Sequence, residues 1–468
     1  MDMNYYFCVC FITLCIIRLT HYLYRWSNPK CNGKLPPGSM GFPLIGETIQ
    51  LFIPGNSLNM PRFVKKRIAR YGTLFRTSLA GHPMVISNDP EFNYFILQQE
   101  RKLVELWYMD SFTTIFGGTI NASTASIYIH KYIRNVILNY LGTDALKNQL
   151  LAKIEIMANQ GLQSCSTQSS VELKTSIASM VFELTSMELF GYDSSKSSKF
   201  LSKMFTDFFS GLMTFPVNIP GTAFYRCMKN RKKAVELMKD ILHERINSPE
   251  KRRGDFLDQL IDDMKKEDFL TEDFVVYMMF GLQLASFVSI SANLTRAIRL
   301  MTENPLVIKE VKEEHEKIYR RKENMDASLT WTDFKSMTFT SQVLNETFRM
   351  ANIAPGILRR VIKDIHINGY VIPKGWTLMV VATAIHMNPK KFEDPHIFNP
   401  WRWDKIGPNL SAKDFVPFGG GMRSCVGAEF TKALMSVFLH VLVTKFSLTK
   451  VEGNAPPGEG FHVKITAN

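Results

Sequence analysis

The spacing of hydrophobic and polar residues predicts a protein that is mainly α-helical with a smaller β part. Across residues 91–347, apolar side chains recur at intervals of three and four residues, which is the period of an amphipathic helix. Short runs predict a pair of strands at Thr73–Leu79 and His82–Ser87. A second hairpin is expected within Ile365–Ile372, because Asn368-Gly369 favours the tight turn that joins antiparallel strands.

The first residues of the chain form an uncharged apolar run that predicts a membrane anchor. The run covers Tyr5–Ile17 and continues beyond Arg18 to Tyr24, which reaches the length of about 20 residues that a bilayer span requires. A cleavable signal peptide is the alternative, but no basic region precedes the run and no clear small-residue cleavage site follows it. Because the basic residues lie downstream, the positive-inside rule places the rest of the chain in the cytoplasm.

Residues 1–25 are therefore expected to form the anchor, residues 26–40 a hinge, and residues 41–468 one globular domain. The hinge contains Pro36-Pro37-Gly38, which cannot continue a helix and makes a stiff, extended spacer. A chain of 468 residues with 46% hydrophobic content can bury a large core. The economical architecture is a single helix-rich domain with a small β part.

Charge and cysteine usage narrow the classes of function. The formal net charge of +13 is scattered along the chain and no nucleic-acid-binding motif accompanies it, so we expect no nucleic-acid partner. An anionic membrane surface or an acidic electron-donor protein suits this charge better. The 7 cysteines lack paired spacing, which argues against a zinc site and a disulfide framework.

One cysteine lies in surroundings that suggest chemistry. Cys425 belongs to the segment Phe418–Gly427, which contains three consecutive glycines and an arginine and precedes a predicted helix. Glycines let the backbone approach a flat cofactor, and Arg423 and the first amides of the helix can stabilise a thiolate. The pattern fits a haem iron held by a thiolate, and an inert cysteine in a helix-entry loop is the alternative.

An ion cluster is expected to support this loop. Glu346 and Arg349 have i, i+3 spacing on a predicted helix, so their side chains can pair. Such a pair on a surface helix is common and contributes little. Arg402 follows in the aromatic segment Phe398–Trp403. We therefore expect two arginines around one carboxylate, where they can fix the loop that carries Cys425.

With these motifs in this order, the chain resembles the cytochrome P450 family of haem-thiolate monooxygenases over nearly its whole length. The specific signature is Phe-x-x-Gly-x-Arg-x-Cys-x-Gly at residues 418–427. The resemblance implies a helix-rich fold shaped like a triangular prism, with haem b as the cofactor and Cys425 as the iron ligand. It also implies the endoplasmic reticulum membrane as location, O2 and NADPH as cosubstrates, and NADPH-cytochrome P450 reductase as electron donor.

The resemblance further assigns the cations that would hold the haem propionates. They are Arg423 on the cysteine loop, Arg359 at the start of a predicted strand, and His130 with Arg134, which are four residues apart on a predicted helix. A solvated helix face is the alternative for His130. Phe418 opens the cysteine-loop signature and is expected to contact the cofactor.

The helix expected to cross the other haem face departs from the family pattern. An acid followed by a threonine is usual there, whereas this chain has Val288 and Ser289. Ser289 can replace the threonine as the catalytic proton relay, assisted by Ser286 or Ser291, but Val288 cannot transfer a proton. An oxygen-dependent hydroxylase, a haem-thiolate isomerase or dehydratase, and a non-catalytic haem-binding protein therefore stay open. The compact cysteine loop favours the first.

The segments expected to line the substrate pocket are apolar, which predicts a large hydrophobic substrate that enters from the membrane lipid. They are Leu106–Met109, Phe112, Phe280, Leu284, Phe287, Ile353–Ile357 and Phe461. Segments such as Phe398–Trp403 resemble the plant branch that oxidises sterols, brassinosteroid precursors and triterpenoids. The resemblance implies a sterol or triterpenoid skeleton as substrate.

Overall fold

The computed structural model describes residues 3–43, 45–52, 62–116, 126–192, 208, 217–321, 327–351, 356–407, 410–451 and 460–468. The chain divides into two compact units. Unit 1 comprises Met1–Trp107, Ala354–Ile397 and Leu410–Ser424, and unit 2 comprises Tyr108–Ile353, Phe398–Asn409 and Cys425–Asn468. The division into an anchor, a hinge and one catalytic domain stays a prediction.

Helices make up most of the described chain, as the hydrophobic pattern predicts. The α-helices are α1 (Met3–Ser27), α2 (Thr48–Phe52), α3 (Arg62–Tyr71), α4 (Pro90–Leu97), α5 (Asp110–Phe116), α6 (Ile127–Leu141), α7 (Thr143–Ala145), α8 (Leu151–Ser166), α9 (Leu173–Phe190), α10 (Ala223–Asn247), α11 (Phe256–Asp263), α12 (Glu272–Thr302), α13 (Pro305–Arg320), α14 (Trp331–Ser336), α15 (Thr338–Met350), α16 (Ala382–His386), α17 (Arg402–Ile406) and α18 (Ala428–Lys445). The strands are β1 (Leu74–Leu79), β2 (His82–Ser87), β3 (Val104–Leu106), β4 (Val171–Glu172), β5 (Ile357–Val361), β6 (Ile365–Ile367), β7 (Tyr370–Ile372), β8 (Thr377–Val380), β9 (Phe446–Lys450) and β10 (His462–Ala467).

A five-stranded sheet of order β1-β2-β8-β5-β3 organises unit 1. The β2–β8 pair is parallel, and the other neighbours are antiparallel. Val85 and Leu378 face one hydrophobic cluster, whereas their neighbours Ile86 and Met379 face another. Because side chains alternate across a strand, the sheet is covered on both faces.

Both hairpins predicted from the sequence are confirmed. The strands β1 and β2 pair in antiparallel register from Leu74 opposite Ser87 to Leu79 opposite His82. The second hairpin, β6–β7, turns at Asn368 and Gly369, whose φ angles are 51° and 75°. Positive φ at both central residues is the geometry that makes Asn-Gly a preferred hairpin turn.

Unit 2 is a helical assembly with a small sheet of order β4-β10-β9. The long helix α12 begins at Glu272, directly after Thr271, whose hydroxyl accepts a hydrogen bond from the amide of Phe274. It packs against α9, α10 and α15. The helix α18 is apolar around most of its circumference and is almost entirely buried. A helix with this composition requires protein on every side, so α18 belongs to the core of the unit.

Two of the described helices are long and apolar enough to cross a bilayer. One is Phe7–Ser27 in α1, whose window is 0% buried, and the other is α12, whose window is 61% buried. The helix α12 is explained by its core position in unit 2. The exposed apolar helix near the N-terminus confirms the helix expected there, and the mainly helical fold class is confirmed with it.

Candidate active site

The glycine-rich segment lies against the end of α4 in unit 1. Gly419 and Gly421 have φ angles of 73° and 66°, which side chains rarely adopt. A Cβ on Gly421 would stand 2.0 Å from the carbonyl oxygen of Leu97. Glycine is therefore required there by the backbone that the loop already contacts. Phe418 stands directly before this turn and is half-buried.

Cys425 differs from the other cysteines of unit 2 in its exposure. Cys165 and Cys227 are buried, whereas Cys425 keeps an exposed side chain three residues before α18. Burial raises the pKa of the Cys227 thiol to about 12, which keeps it protonated and inert. Cys425 is thus the cysteine of this unit that is open to a ligand.

Two contacts of the Cys425 sulfur favour a negative charge. Desolvation by the surrounding protein raises the pKa of its thiol, and a hydrogen bond from the Gly427 amide and the charge of Arg134 offset only part of this rise. Metal coordination removes the thiol proton outright, so these two contacts would then stabilise a bound thiolate. The predicted partnership of Arg134 with the cysteine side of the site has this electrostatic support within unit 2.

His130 lies one turn before Arg134 on α6 and is half-buried. The side chain of Ser126 caps this helix by accepting the amide of Ile129. Tyr132 points elsewhere, since its hydroxyl donates to Asp263 at 2.7 Å. The assignment of His130 to a propionate stays a prediction.

The other two predicted propionate ligands meet on one acid of unit 1. Arg423 Nε donates to Glu100 Oε1 at 2.9 Å, and Arg359 Nε lies 3.5 Å from Glu100 Oε2. The amide of Leu106 also donates to Oε1 at 3.2 Å. All three charged side chains are nearly inaccessible to solvent. The structure therefore brings Arg359 and Arg423 together, and Glu100 is a partner that the sequence did not reveal.

The expected cluster of two arginines around Glu346 is confirmed in unit 2. Arg349 donates to both carboxylate oxygens, each at 2.8 Å, and Arg402 Nε donates to Oε1 at 3.0 Å. Trp403 Nε1 and the amide of Asn399 add bonds of 3.0 and 3.1 Å. This cluster ties α15 to the segment around α17. That it also fixes the cysteine loop stays a prediction.

Ser289 lies on the most accessible face of α12. Ala285 is exposed, and Val288 and Ser289 are half-buried. The Ser289 hydroxyl donates to the carbonyl oxygen of Ala285 at 3.0 Å, and the Asn293 side-chain amide donates to the Ser289 carbonyl oxygen at 3.0 Å. The hydroxyl therefore donates its hydrogen bond within its own helix rather than to water. Its oxygen can still accept a hydrogen bond.

The two other serines proposed to assist point away from this face. Ser286 Oγ lies 3.3 Å from Thr185 Oγ1 on α9, and Gln283 donates to the same oxygen at 3.1 Å. Ser291 is buried and donates to the carbonyl oxygen of Val288 at 3.1 Å. Their hydroxyls therefore serve contacts within the helix and with α9.

The expectation that Phe280 and Phe287 line a substrate pocket is wrong. Their exposed fractions are 0% and 1%, and both rings pack against other aromatic rings of unit 2. Phe280 meets Phe208 at 5.1 Å between ring centroids, and Phe287 meets Phe182 at 5.6 Å. Both rings belong to the hydrophobic core, because their positions along α12 lie on its buried side.

The remaining expected lining residues are distributed as follows. Leu284 is also buried. The half-buried members are Leu106–Met109, Phe112, Gly356, Ile357 and Phe461. Residues 353–355 lie outside the described residues. The half-buried members keep accessible surface and stay predicted lining residues.

Several polar residues near the site were missed by sequence reasoning. Glu100 sits in an ordinary polar stretch, so nothing in its neighbourhood indicated a buried acid. Gln283 and Thr185 are different, because each interrupts an apolar helical pattern and is fully buried. A polar residue at an apolar position of such a pattern requires a partner, which is the signal that could have found this pair.

The donor set fits a haem iron. Within the described residues, no group of three or more His, Cys, Asp or Glu side chains could hold a metal ion. The iron of a porphyrin brings most of its own ligands and needs little more than one thiolate from the protein. One exposed cysteine with a supporting amide and a cation supplies the single thiolate that such an iron requires.

A helical fold with one such thiolate ligand defines a haem-thiolate protein. The chain belongs to the cytochrome P450 family, whose model matches residues 36–462. It is 42% identical over 461 residues to cucurbitadienol 11-hydroxylase of Siraitia grosvenorii, covering 97% of this chain and 98% of that protein. It is 43% identical over 445 residues to beta-amyrin 16-alpha-hydroxylase of Maesa lanceolata, covering 95% and 94%.

A solved structure supports the same fold. The retinoic acid bound cyanobacterial CYP120A1 superposes with a TM-score of 0.82 at 23% sequence identity, and the match covers 94% of this chain and 100% of that one. The protein is a monooxygenase of the P450 family, with a haem held by a cysteine thiolate as its cofactor. Enzymes of this kind take electrons from a redox partner and act on hydrophobic substrates.

Proposed function

We propose that this monooxygenase is anchored in a membrane and hydroxylates or further oxidises a sterol or triterpenoid skeleton. It uses O2, with electrons that a reductase passes on from NADPH. The observation that carries the proposal is the exposed Cys425, supported by Arg134 and the Gly427 amide, in a chain with hydroxylase relatives of more than 40% identity. The sterol or triterpenoid class rests on those relatives.

The residues of this chain divide the work of holding the cofactor. Cys425 is the iron ligand, and Phe418 contacts the cofactor from the loop before it. Arg134, His130, Arg359 and Arg423 provide the cations for two propionates. When bound, the haem supplies an iron at which molecular oxygen is activated. A bound thiolate is electron-rich, and the Gly427 amide holds its charge in a fixed direction.

Ser289 is the catalytic residue that transfers protons to the site of oxygen activation. Its hydroxyl can rotate from the Ala285 carbonyl oxygen to a water molecule, because the side chain is only half-buried. Val288 beside it has no titratable group, so protons reach Ser289 through water rather than through an adjacent acid. Asn293 holds the Ser289 carbonyl oxygen and keeps this turn of α12 in place.

The helix α1 is the membrane anchor, and the proposed location is the endoplasmic reticulum with the enzyme on the cytoplasmic face. The support is the exposed apolar stretch of 21 residues, Phe7–Ser27, and the basic residues that follow it. A hydrophobic substrate dissolved in the bilayer is then close to the enzyme. NADPH-cytochrome P450 reductase is the electron donor, and the net charge of +13 favours contact with an acidic partner.

A second function is favoured by one specific residue. Val288 stands where a hydroxylase usually carries an acid, and an isomerase or dehydratase that needs no O2 has no use for that acid. The two functions differ in their need for NADPH. Turnover of a substrate in the absence of NADPH and reductase would support the isomerase or dehydratase and contradict the monooxygenase mechanism proposed here.

The test of the proposed function is expression in microsomes with a plant reductase and a panel of sterols and cyclic triterpenes. We expect a product heavier by one oxygen atom, carrying label from 18O2, that requires NADPH. Cys425→Ala is expected to lose both the carbon monoxide difference band and the product, whereas Cys227→Ala, at a buried cysteine, keeps them. A normal difference band without any product from the panel contradicts the substrate class.

The role of Ser289 has its own test. Ser289→Ala is expected to increase the share of NADPH that is consumed without product, and Ser289→Thr is expected to restore coupling because it keeps the hydroxyl. Ser291→Ala is the matched control, since that hydroxyl is buried and bonds Val288. Coupling that is the same in Ser289→Ala and in the unchanged protein rules out the relay.

A further inference from the structure

A basic hollow lies beside the last turns of α1 in unit 1. Its volume is about 810 Å3. The cationic side chains that line it are Arg25, Lys30, Lys34 and Arg76, and His21 lies beside them. The described lining residues include no aspartate or glutamate. A concave surface with cations and no compensating acid attracts anions.

The wall of the hollow is held by specific contacts with unit 1. Trp26 Nε1 donates to the carbonyl oxygen of Gly41 at 3.1 Å, and the Trp26 ring packs against the hydrophobic core. The carbonyl oxygen of Lys34 accepts the amide of Val371 at 2.8 Å. The chain after α1 is thus fastened to strand β7 and to the core, and the cations it carries are held in one place.

Arg76 leaves a buried donor unsatisfied in this lining. Its Nε is buried and has no hydrogen-bond partner among the described residues, while its Nη1 donates to the carbonyl oxygen of Pro36 at 3.3 Å. A buried N–H without an acceptor is unfavourable, and an oxygen of a bound anion would satisfy it. Lys34 Nζ lies 5.5 Å from the centre of the Tyr370 ring, so part of its environment is already fixed.

The position along α1 indicates which anion is available. Phe7–Ser27 contains 21 residues, which rise by about 31 Å in a helix, and this matches the hydrocarbon core of a bilayer. His21, Tyr24 and Arg25 lie in the last two turns of this stretch. If α1 crosses the membrane, these turns reach the layer in which lipid phosphates lie.

We propose that this hollow binds the phosphate group of an anionic membrane lipid. The inference rests on the membrane anchor of the proposed function. Phosphate offers several oxygen acceptors for Arg76, Lys30 and Lys34, and a monoester phosphate such as that of phosphatidic acid carries more charge than a diester. The hollow therefore selects phosphatidic acid over the diester lipid phosphatidylserine, and both over neutral phosphatidylcholine.

The experiment uses the full-length, haem-loaded protein in mixed micelles, with bound lipid counted by native mass spectrometry. Removing two lysines in Lys30→Gln/Lys34→Gln is expected to weaken phosphatidic acid binding about 25-fold, at about fivefold for each charge. Lys30→Arg/Lys34→Arg is expected to retain binding. The matched control is Lys312→Gln/Lys317→Gln, which removes two exposed lysines of α13 outside the hollow and should leave binding unchanged.

A lipid site differs measurably from a site for a free anion and from a general effect of charge. Phosphatidic acid should compete more than tenfold better than inorganic phosphate, and equal competition would assign the hollow to a free anion and overturn the lipid proposal. Equal loss in both double variants would mean a general charge effect and would also overturn it. Carbonate extraction of microsomes tests the anchor separately, because a retained protein without lipid preference contradicts only the headgroup site, whereas a released protein contradicts the anchor.

Discussion

Two buried carboxylates, Glu346 in unit 2 and Glu100 in unit 1, each lie between two arginines, but only one of them is saturated. From the described residues, Glu346 accepts five hydrogen bonds of 2.8–3.1 Å on its two oxygens. From the same part of the chain, Glu100 accepts bonds of 2.9 and 3.2 Å, both on Oε1. Its Oε2 is buried without a hydrogen bond from the described residues, with Arg359 Nε at 3.5 Å.

The two carboxylates have different roles. A carboxylate whose two oxygens are both fully hydrogen-bonded can accept no further hydrogen bond, so Glu346 acts as a structural element. The Glu100 cluster places two guanidinium groups around one acid and leaves its second contact long. Both acids lie between two arginines, so the two clusters have the same charge balance, and what distinguishes them is the long contact between Glu100 Oε2 and Arg359 Nε. This looser contact supports the proposal that Arg359 and Arg423 hold haem propionates, whereas Arg349 and Arg402 are bound closely to Glu346.

The largest expected effect comes from breaking the saturated cluster. Glu346→Gln leaves Arg349, which is 0% exposed, and Arg402 without their counter-charge. Removing one partner of a buried pair costs about 3–5 kcal/mol, so we expect the free energy of unfolding to fall by this amount. Denaturant titration measures it with and without haem. A loss below about 1 kcal/mol would contradict the structural role.

The unsaturated cluster is expected to respond less, and differently with haem. In Glu100→Gln the two arginines lose their acid, but bound propionates would still compensate them. We expect a loss of about 1–3 kcal/mol in the haem-loaded protein and a larger loss in the haem-free protein. The Glu346 variant should lose the same amount in both forms. An equal loss with and without haem in Glu100→Gln contradicts the proposed contact of Arg359 and Arg423 with propionates.

The two clusters also show what a sequence can and cannot predict. Glu346 and Arg349 are three residues apart on one helix, so their pairing follows from helical geometry alone. Glu100 and Arg423 are separated by 323 positions, and only the folded chain brings them together. Local spacing predicts local contacts, and long-range ion pairs leave no mark in the pattern of one sequence.

The same distinction between local and long-range contacts holds for the fold. Helices with a clear period and the Asn368-Gly369 hairpin were predictable, because each depends on a few neighbouring residues. The assignment of Phe280 and Phe287 to a pocket failed for the complementary reason. Hydrophobicity places a residue on the apolar face of α12, but which side of that helix is covered depends on α9 and on the rings it contributes.

The next prediction tests the proposed anion contact directly. Arg359→Gln and Arg423→Gln are each expected to increase the rate of haem loss about tenfold, because each removes a charge-assisted contact to a propionate. Transfer of haem to apomyoglobin measures this rate. Arg360→Gln is the matched control. Arg360 is the next residue of β5, and its guanidinium donates to the carbonyl oxygen of Gly375 at 2.7 Å. Equal rates in all three variants would place Arg359 and Arg423 with the structural arginines.

A third buried cluster in unit 2 is hydrogen-bonded without a charge on His315. The Thr340 hydroxyl donates to Glu314 at 2.6 Å, so it accepts from His315 Nε2 at 2.8 Å. This leaves His315 Nδ1 as the acceptor of His440 Nδ1, at 3.0 Å. Protonation of His315 would set two N–H groups against each other. Its pKa accordingly falls to about 3, because the ring is buried and lies beside His440.

This pair gives an expected effect that is absent near neutral pH and grows only in acid, and its sign follows from the lowered pKa. The unfolded chain binds a proton at His315 below pH 6.5, whereas the folded chain excludes it down to about pH 3. Stability is therefore complete above pH 6.5 and declines as the pH falls, with a limiting slope of about 1.4 kcal/mol for each pH unit. His315→Gln retains a donor for Thr340 and removes the titration. The free energy of unfolding of the unchanged protein, minus that of this variant, should decrease from pH 7 to pH 4. A constant difference would show that His315 takes up its proton as readily in the folded chain as in the unfolded chain.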